Sequence, residues 1–215
     1  NDRGAPASPT FYKTDWAGTQ LLYSTARKNE IQQSQTLNTT WVKSSCSITS
    51  DAIIAPDGTL TADKIVELAA SARHELQSAA TTIPITTQTT MSVYAKAGER
   101  QYLFLTPGGT AALSATFDLL NGVVTNTGGS CSSSIQSVGN GWYRCKITYT
   151  STGANSPLWL CVRATAGLGV ETYLGDGTSG LYCWGAQAEL GSVATPYIPT
   201  VATAVTVTDY TIASN

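Results

Sequence analysis

Charged side chains are scarce in this chain. They make up 12% of its 215 residues, about half of the ~25% found in ordinary globular proteins. Ser, Thr, Gly and Asn fill that deficit, so the surface is expected to be solvated mainly by neutral polar groups. The formal net charge is −2. A chain with so few Lys and Arg and a slightly acidic balance is not expected to bind nucleic acid electrostatically.

Long apolar runs are also absent. No stretch approaches the roughly 18 consecutive apolar residues that a membrane-spanning helix needs, so membrane insertion is not expected. Hydrophobic residues nevertheless amount to 42% of the chain and recur throughout it. A chain of this length and composition can bury a sizeable core and is not expected to be disordered.

Cysteine is present in an odd number and without any CxxC spacing. This pattern argues against a zinc ribbon, a redox motif or a complete disulfide framework. Three of the cysteines lie inside apolar, strand-like runs, where they are interpreted as small buried hydrophobic side chains. One disulfide is left open. The five are Cys46, Cys131, Cys145, Cys161 and Cys183.

Catalytic patterns are missing as well. The chain has one histidine, His74, and no GxSxG motif. His74 lies in "ARHELQ" beside an ordinary Arg and Glu, which favours a structural or surface role. Glycosidases with a β-sandwich fold carry their catalytic carboxylates close together on one strand, as in an ExDxxE run. No such run occurs in this sequence. A non-enzymatic protein is therefore predicted, with a glycan hydrolase as a remote alternative. Glutamates that occur singly include Glu67, Glu75, Glu99, Glu171 and Glu189.

Two acidic turns could supply oxygen ligands for a metal ion. They are "PDGT" (56–59) and "GDGT" (175–178), with Asp63 and Asp209 as further oxygen donors. Neither turn has the spacing of a calcium loop. Tight-turn chemistry explains both, because Asp and Gly tolerate the positive φ that hairpin turns need. No cofactor and no metal site are predicted, although a structural calcium ion is left open.

Short β-branched and aromatic runs dominate the chain and are separated by turn clusters rich in Gly, Asn and Pro. At least seven such runs occur at roughly ten-residue spacing, which is typical of a β-sandwich or jelly roll. The predicted strands are "TMSVYAKA" (90–97), "RQYLFLT" (100–106), "LSATFDLL" (113–120), "GWYRCKITYT" (141–150), "SPLWLCVRA" (156–164), "GLYCWGAQAEL" (180–190) and "TAVTVTDYTI" (203–212).

Alternation within single runs supports half-buried strands. In residues 142–150, Cys145 and Ile147 share a face opposite Arg144 and Lys146. Residues 158–163 alternate in the same way. Residues 62–80 contain good helix formers, yet "TADKIVEL" and "HELQSA" also alternate. Strands are therefore predicted there in preference to a helix.

Eight runs follow one another over roughly residues 20 to 209. They are "LLYSTARKN" (21–29), "NTTWVKS" (38–44), "APDGTLTADKIVE" (55–67), "SVYAKAGER" (92–100), "FDLLNGVV" (117–124), "VGNGWYRCKITYT" (138–150), "GDGTSGLYCWGAQAELGSVATPYIPT" (175–200) and "AVTVTD" (204–209). In this order and spacing, the runs resemble a lectin-like, carbohydrate-binding-module-like domain of tailed-bacteriophage virion proteins. Ala188 departs from the pattern, which has a larger aliphatic residue there, and Cys stands at other aliphatic positions; both indicate a core of smaller volume.

The resemblance implies an all-β fold, a jelly-roll (concanavalin-like) antiparallel β-sandwich. The expected organisation is an extended N-terminal arm (1–19), the sandwich (20–200) and a C-terminal strand or extension (201–215). It also implies a place on the virion surface, as a tail fibre, spike or capsid decoration subunit. Expected partners are other virion subunits, further copies of the chain and host cell-surface polysaccharide. A purely structural, cementing subunit without a glycan ligand is the alternative.

Sugar binding can be carried by aromatic side chains that stack on sugar rings, together with Arg, Asn or Gln that donate directional hydrogen bonds. Such side chains occur on strands whose outward faces are predicted to be wet. They could form one site if those faces lie on the same sheet. The candidate glycan-binding residues are Tyr102, Trp159, Arg163, Trp184 and Gln187.

Overall fold

The computed structural model describes residues 22–109, 111–153, 156–168 and 171–212. These residues form sixteen strands and one 3₁₀ turn, Ala111–Leu113. The strands are β1 (Leu22–Asn29), β2 (Val42–Ser44), β3 (Cys46–Ile54), β4 (Leu60–Glu67), β5 (Ser71–Ala72), β6 (His74–Gln77), β7 (Gln88–Ala97), β8 (Tyr102–Pro107), β9 (Ala115–Asp118), β10 (Val123–Thr127), β11 (Cys131–Gly139), β12 (Trp142–Thr150), β13 (Leu158–Arg163), β14 (Tyr173–Leu174), β15 (Gly180–Leu190) and β16 (Val205–Ile212).

Twelve of these strands form two six-stranded antiparallel sheets. The first sheet has the strand order β10-β9-β8-β13-β6-β2, and the second has the order β11-β12-β7-β15-β4-β3. Two smaller pairs, β1 with β16 and β5 with β14, complete the described structure. The expectation of an antiparallel β-sandwich is confirmed.

The core lies between the two sheets and is filled by the inward-facing side chains of both. Alternation decides which side chains these are: along β13, Leu158, Leu160 and Val162 are buried in this core. Along β12, Cys145 and Ile147 are buried in the same way. Both alternations predicted from the sequence are therefore confirmed. Large side chains that are fully buried include Phe117, Leu103, Leu105, Met91, Ile65, Leu76, Ile147 and Leu158.

All seven predicted strands are present, and residues 62–80 form strands β4, β5 and β6, not a helix. Six strands are not among those predicted: β1, β2, β3, β10, β11 and β14. In the run "NGVVTNTGG" (121–129), whose composition favours a turn, the chain turns at both ends, but Val123–Thr127 pair with β9 as strand β10. Strand β10 is missed because it is polar and buries little: its side chains are all exposed or intermediate.

The two ends of the described chain meet in a ribbon. β1 and β16 pair along their whole lengths, with Leu22 opposite Ile212 and Asn29 opposite Val205. Asn29 is fully buried where the ribbon joins the second sheet, and its amide nitrogen donates to the carbonyls of Ala186 (3.0 Å) and Ile198 (2.9 Å). The predicted extension 201–215 thus contains a strand, whereas the predicted arm, residues 1–19, lies outside the described residues.

The turn at Asp176-Gly177 has the expected backbone, with Gly177 at φ 81°. It does not close a hairpin, however, because the preceding strand β14 pairs with β5 and the following β15 pairs with β4 and β7. The five cysteines are all free thiols. Within the part of the chain that the structure describes, no helix has the length and hydrophobicity required to cross a bilayer.

Candidate functional site

A shallow pocket lies on the outer face of the first sheet, the face turned away from the core. It forms because β8, β13 and β6 are neighbours, so their outward side chains stand side by side. In register, Cys161 lies between Phe104 and Glu75, and Trp159 lies beside Thr106. We call this the Trp159 pocket.

The floor of the Trp159 pocket is apolar and its walls are polar. Phe104 lies at the floor and is only 3% exposed, although it points away from the core. The empty volume is about 290 Å³, counting the open solvent at its mouth. Because that volume includes open solvent, it describes a shallow surface depression and not an enclosed cavity.

One wall consists of Arg73, Glu75 and Trp159. The guanidinium of Arg73 makes a two-nitrogen contact with the Glu75 carboxylate, at 2.8 Å from Nη2 and 3.1 Å from Nε. The same guanidinium lies 5.4 Å from the centre of the Trp159 ring, within cation–π range. Hydrogen bonding to Glu75 raises the pKa of Arg73. The wall therefore combines an aromatic ring with a fixed ion pair.

The opposite wall is a second arginine–glutamate pair. Arg163 Nε donates to Glu171 at 3.1 Å, and its guanidinium lies 4.7 Å from the Phe104 ring centre. Glu171 also accepts from the backbone nitrogens of Ala164 (3.2 Å) and Thr165 (3.4 Å). Each of the two pairs is formally neutral, so the pocket carries polar groups without a net charge.

Trp159 has an unusual hydrogen-bonding state. Its indole nitrogen Nε1 is buried and has no hydrogen-bond partner among the described residues, whereas most buried polar groups are paired. The backbone of Gly109 lies against the indole ring. A Cβ at residue 109 would approach the ring to 2.6 Å. The absence of a side chain at Gly109 therefore leaves room for the ring beside the pocket.

The five candidate glycan-binding residues do not share a surface. Arg163 and Trp159 line the Trp159 pocket. Tyr102 pairs with Arg163 in register on the same sheet, but it does not line the pocket. Trp184 and Gln187 lie on β15, in the second sheet. The expectation that all five could combine on one wet face is corrected: the structure divides them between opposite sides of the sandwich.

Trp184 and Gln187 are covered by the segment 192–200. Trp184 is 3% exposed, its ring centre lies 4.6 Å from that of Tyr197, and its indole nitrogen donates to Thr61 at 3.0 Å. Gln187 is fully buried; its amide nitrogen donates to Glu189 at 2.5 Å and its oxygen accepts from Ile198 at 2.7 Å. Both side chains thus hold this segment on the second sheet.

Groups that could act as nucleophile or base near the pocket are engaged in structural contacts. His74 is 1% exposed; its Nδ1 lies 2.6 Å from the Ser45 carbonyl oxygen and its Nε2 lies 3.3 Å from that of Tyr173. Burial raises the pKa of the Cys161 thiol, which disfavours the reactive thiolate. His74 therefore has the structural role that the sequence favoured.

In both acidic turns, the Asp carboxylate accepts a hydrogen bond from a backbone nitrogen of its own turn. The carboxylate oxygen Oδ1 of Asp57 accepts from the backbone nitrogen of Thr59 at 3.0 Å, and that of Asp176 accepts from Thr178 at 2.8 Å. Asp63 accepts from the backbone nitrogens of Leu37 (2.8 Å) and Asp51 (3.0 Å). The side chain of Asp209 lies outside the description. No cluster of three or more His, Cys, Asp or Glu suited to a metal ion occurs in the described ranges.

Sequence reasoning missed four residues of the pocket: Arg73, Glu75, Phe104 and Glu171. The alternation in "ARHELQ" puts Arg73 and Glu75 on one face, and that signal was sufficient to find them. Phe104 offered no such signal, because an outward phenylalanine on a strand cannot be distinguished from a core residue. Comparison of the chain with protein-family models gives no match, and comparison with curated proteins gives none either.

Proposed function

We propose that this chain is a non-enzymatic, lectin-like subunit of a tailed-bacteriophage virion that binds a neutral sugar unit of a host-surface glycan in the Trp159 pocket. The virion assignment comes from the sequence resemblance alone. The observation that carries the binding role is the pocket itself, in which the Trp159 indole and two arginine–glutamate pairs surround the apolar Phe104 floor.

The chemistry of this arrangement suits a sugar. The C–H faces of a sugar ring pack on aromatic surfaces, while its hydroxyl groups need donors and acceptors at fixed positions. Arg73 and Glu75 supply both on one side of the pocket, and Arg163 and Glu171 supply both on the other. Because the charges of each pair cancel, a neutral sugar is favoured over a charged one. The engagement of both carboxylates with arginine also supports binding without catalysis.

The strand order supports the finer assignment to a jelly roll. Successive segments alternate between the two sheets: β6 lies in the first, β7 in the second, β8–β10 in the first, β11–β12 in the second, β13 in the first and β15 in the second. Alternation of this kind brings strands distant in sequence side by side. The Trp159 pocket depends on it, because β6, β8 and β13 meet there.

The test is binding to an array of neutral and acidic bacterial oligosaccharides. Loss of a central aromatic anchor commonly costs about 2 kcal/mol, so we expect Trp159→Ala to weaken binding of neutral sugars about 30-fold. Arg73→Lys keeps the charge but loses the planar fork, and it is expected to weaken binding without unfolding the protein. Tyr182→Ala, a half-buried aromatic on the second sheet, is the matched control.

Three results would contradict the proposal. A blank array with the folded protein would favour the alternative of a purely structural, cementing subunit. Equal losses of neutral-sugar binding for Trp159→Ala and Tyr182→Ala would show that the Trp159 pocket is not the binding site. Release of reducing sugar from any bound polysaccharide would show a glycan hydrolase.

A further inference from the structure

The outer face of the second sheet carries three neighbouring cations. Lys96 lies on β7, and Arg144 and Lys146 lie on the adjacent strand β12. The residues of β12 that alternate with Arg144 and Lys146, namely Cys145 and Ile147, are buried in the core. Since strand side chains alternate, Arg144 and Lys146 point outward. We call the surface formed by Lys96, Arg144 and Lys146 the basic face.

None of these three cations is paired with a carboxylate among the described residues. Arg144 donates to the Ser92 hydroxyl at 3.1 Å, and its Nε is buried without a partner. Lys96 donates to the carbonyl of Asn140 at 2.8 Å. The side chain of Lys146 makes no polar contact with the rest of the described chain. Five cations elsewhere in the described ranges do form ion pairs with a glutamate: Lys28, Lys64, Arg73, Arg100 and Arg163.

The carboxylates around the basic face are already engaged. Glu99 lies 2.7 Å from Lys64. Glu189 is 3% exposed and accepts from Gln187 at 2.5 Å. Asp57 caps its own turn through Thr59. None of these three carboxylates forms an ion pair with Lys96, Arg144 or Lys146, and an anion supplied from outside would complement the basic face.

A broad concavity adjoins the basic face at Lys96. It is also lined by Tyr182, Trp142 and Asn140, and its empty volume is about 720 Å³, counting open solvent. Tyr182 lies opposite Lys96 in the sheet register and is half-buried, so part of its ring remains accessible. The surface thus offers an aromatic ring next to cations, on the opposite side of the sandwich from the Trp159 pocket.

We propose that the basic face and the Tyr182 concavity bind an acidic polysaccharide, with carboxylate or phosphate groups at Lys96, Arg144 and Lys146 and a sugar ring on Tyr182. A sugar polymer is favoured over nucleic acid because three cations neutralise few phosphates, and phosphate contacts dominate the affinity of proteins for nucleic acid. This proposal does not depend on the neutral-sugar site.

The test is titration of the whole protein with defined polymers at low and physiological salt. Polygalacturonate tests carboxylate groups, and a polyglycerol-phosphate teichoic acid tests phosphate groups. Dextran is the neutral control, and single-stranded oligo-dT is the nucleic-acid control. We expect at least one acidic polysaccharide to bind, more weakly at higher salt, and dextran to give no signal at this face.

Variants locate the site. Each of Lys96→Gln, Arg144→Gln and Lys146→Gln is expected to weaken acidic-polymer binding about 2- to 5-fold, and Tyr182→Ala is expected to weaken it as well. Lys43→Gln removes the same charge from an exposed residue of the first sheet and is expected to change nothing. Trp159→Ala is also expected to leave this binding intact, which separates the two sites.

The proposal is overturned if neither acidic polymer binds, if Lys43→Gln weakens binding as much as the basic-face variants, or if oligo-dT binds as tightly as the acidic polysaccharides. A blank neutral-sugar array would leave this result unaffected, so the failure of one site can be told from the failure of the other.

Discussion

At the scale of single residues, Glu67 is a buried carboxylate that accepts four hydrogen bonds. It is fully buried at the end of β4 and accepts from Arg100 (2.6 and 2.8 Å), the Tyr173 hydroxyl (2.7 Å) and the backbone nitrogen of Asp176 (2.9 Å). Burial by itself raises the pKa of Glu67, but hydrogen bonds from Arg100, Tyr173 and Asp176 outweigh it, so the pKa is lowered. This cluster holds the Asp176 turn against the sheets.

Replacement of Glu67 by Gln is expected to destabilise the fold by about 3 kcal/mol near neutral pH, because it removes the buried carboxylate partner of Arg100 and leaves only the longer 4.0 Å contact with Asp176. The pKa of Glu67 is lower in the folded state, so its stabilisation is present above the unfolded value of about 4.3 and is lost as pH falls through the folded value. In denaturant unfolding across acid pH, the free energy of unfolding should therefore fall less steeply for Glu67→Gln than for the parent protein.

Glu99→Gln is the control for that measurement. Glu99 is an exposed carboxylate paired with Lys64, and such pairs contribute only ~0–1 kcal/mol. Equal effects of the two substitutions would mean that the buried cluster around Glu67 is not what stabilises this region.

At the scale of elements, β15 is the central strand around which the second sheet is organised. It pairs with β7 on one side and with β4 on the other. At its start, Gly180 is packed so closely that a Cβ would overlap the carbonyl oxygen of Ile65, a backbone atom that cannot move away cheaply. The glycine there is required by the close approach of two strands.

Gly180→Ala is therefore expected to destabilise the protein by at least about 2 kcal/mol, as overpacking in a closed site commonly does. Gly129→Ala is the matched control: residue 129 lies in a turn, and a Cβ added there meets nothing within 4 Å. Thermal or denaturant unfolding of both variants measures the difference. A stable Gly180→Ala protein would show that β4 and β15 are not held at this spacing.

Element prediction from the sequence was most successful where alternation is strong. β12 and β13 alternate without interruption, so their inward faces were read correctly. Along β15 the alternation breaks: a bulge between Trp184 and Gln187, with Gly185 at φ 63°, shifts the register. Both Trp184 and Gln187 therefore face outward, and Ala186 and Ala188 enter the core. A pattern with a strict period of two cannot show this shift.

At the scale of the whole molecule, the sequence could not tell which outward faces stay open. Trp184 and Trp159 look alike in the sequence, each on an outward face of a strand. The segment 192–200 folds over Trp184 through Tyr197, whereas Trp159 stays partly exposed beside the pocket. That difference arises from contacts between strands and the loop segments that cross them, such as the contact of Tyr197 with Trp184. Local patterns carry no information on such contacts.

The indole nitrogens of the described tryptophans differ in their hydrogen bonding. Trp41 donates to the Gln33 carbonyl (3.1 Å), Trp142 to the Ile54 carbonyl (3.2 Å) and Trp184 to the Thr61 hydroxyl (3.0 Å). Trp159 alone among these four has no partner. Its N–H group is therefore the one best placed to report a ligand in the Trp159 pocket.

The most direct test of the binding role is an NMR titration that follows the indole N–H resonances, each assigned with a Trp→Phe variant, as the best-binding neutral oligosaccharide is added. We expect the Trp159 resonance to shift with a saturable dependence on sugar concentration, while the resonances of Trp41, Trp142 and Trp184 stay in place. If the Trp159 resonance does not move at sugar concentrations that saturate binding, the sugar does not bind in the Trp159 pocket.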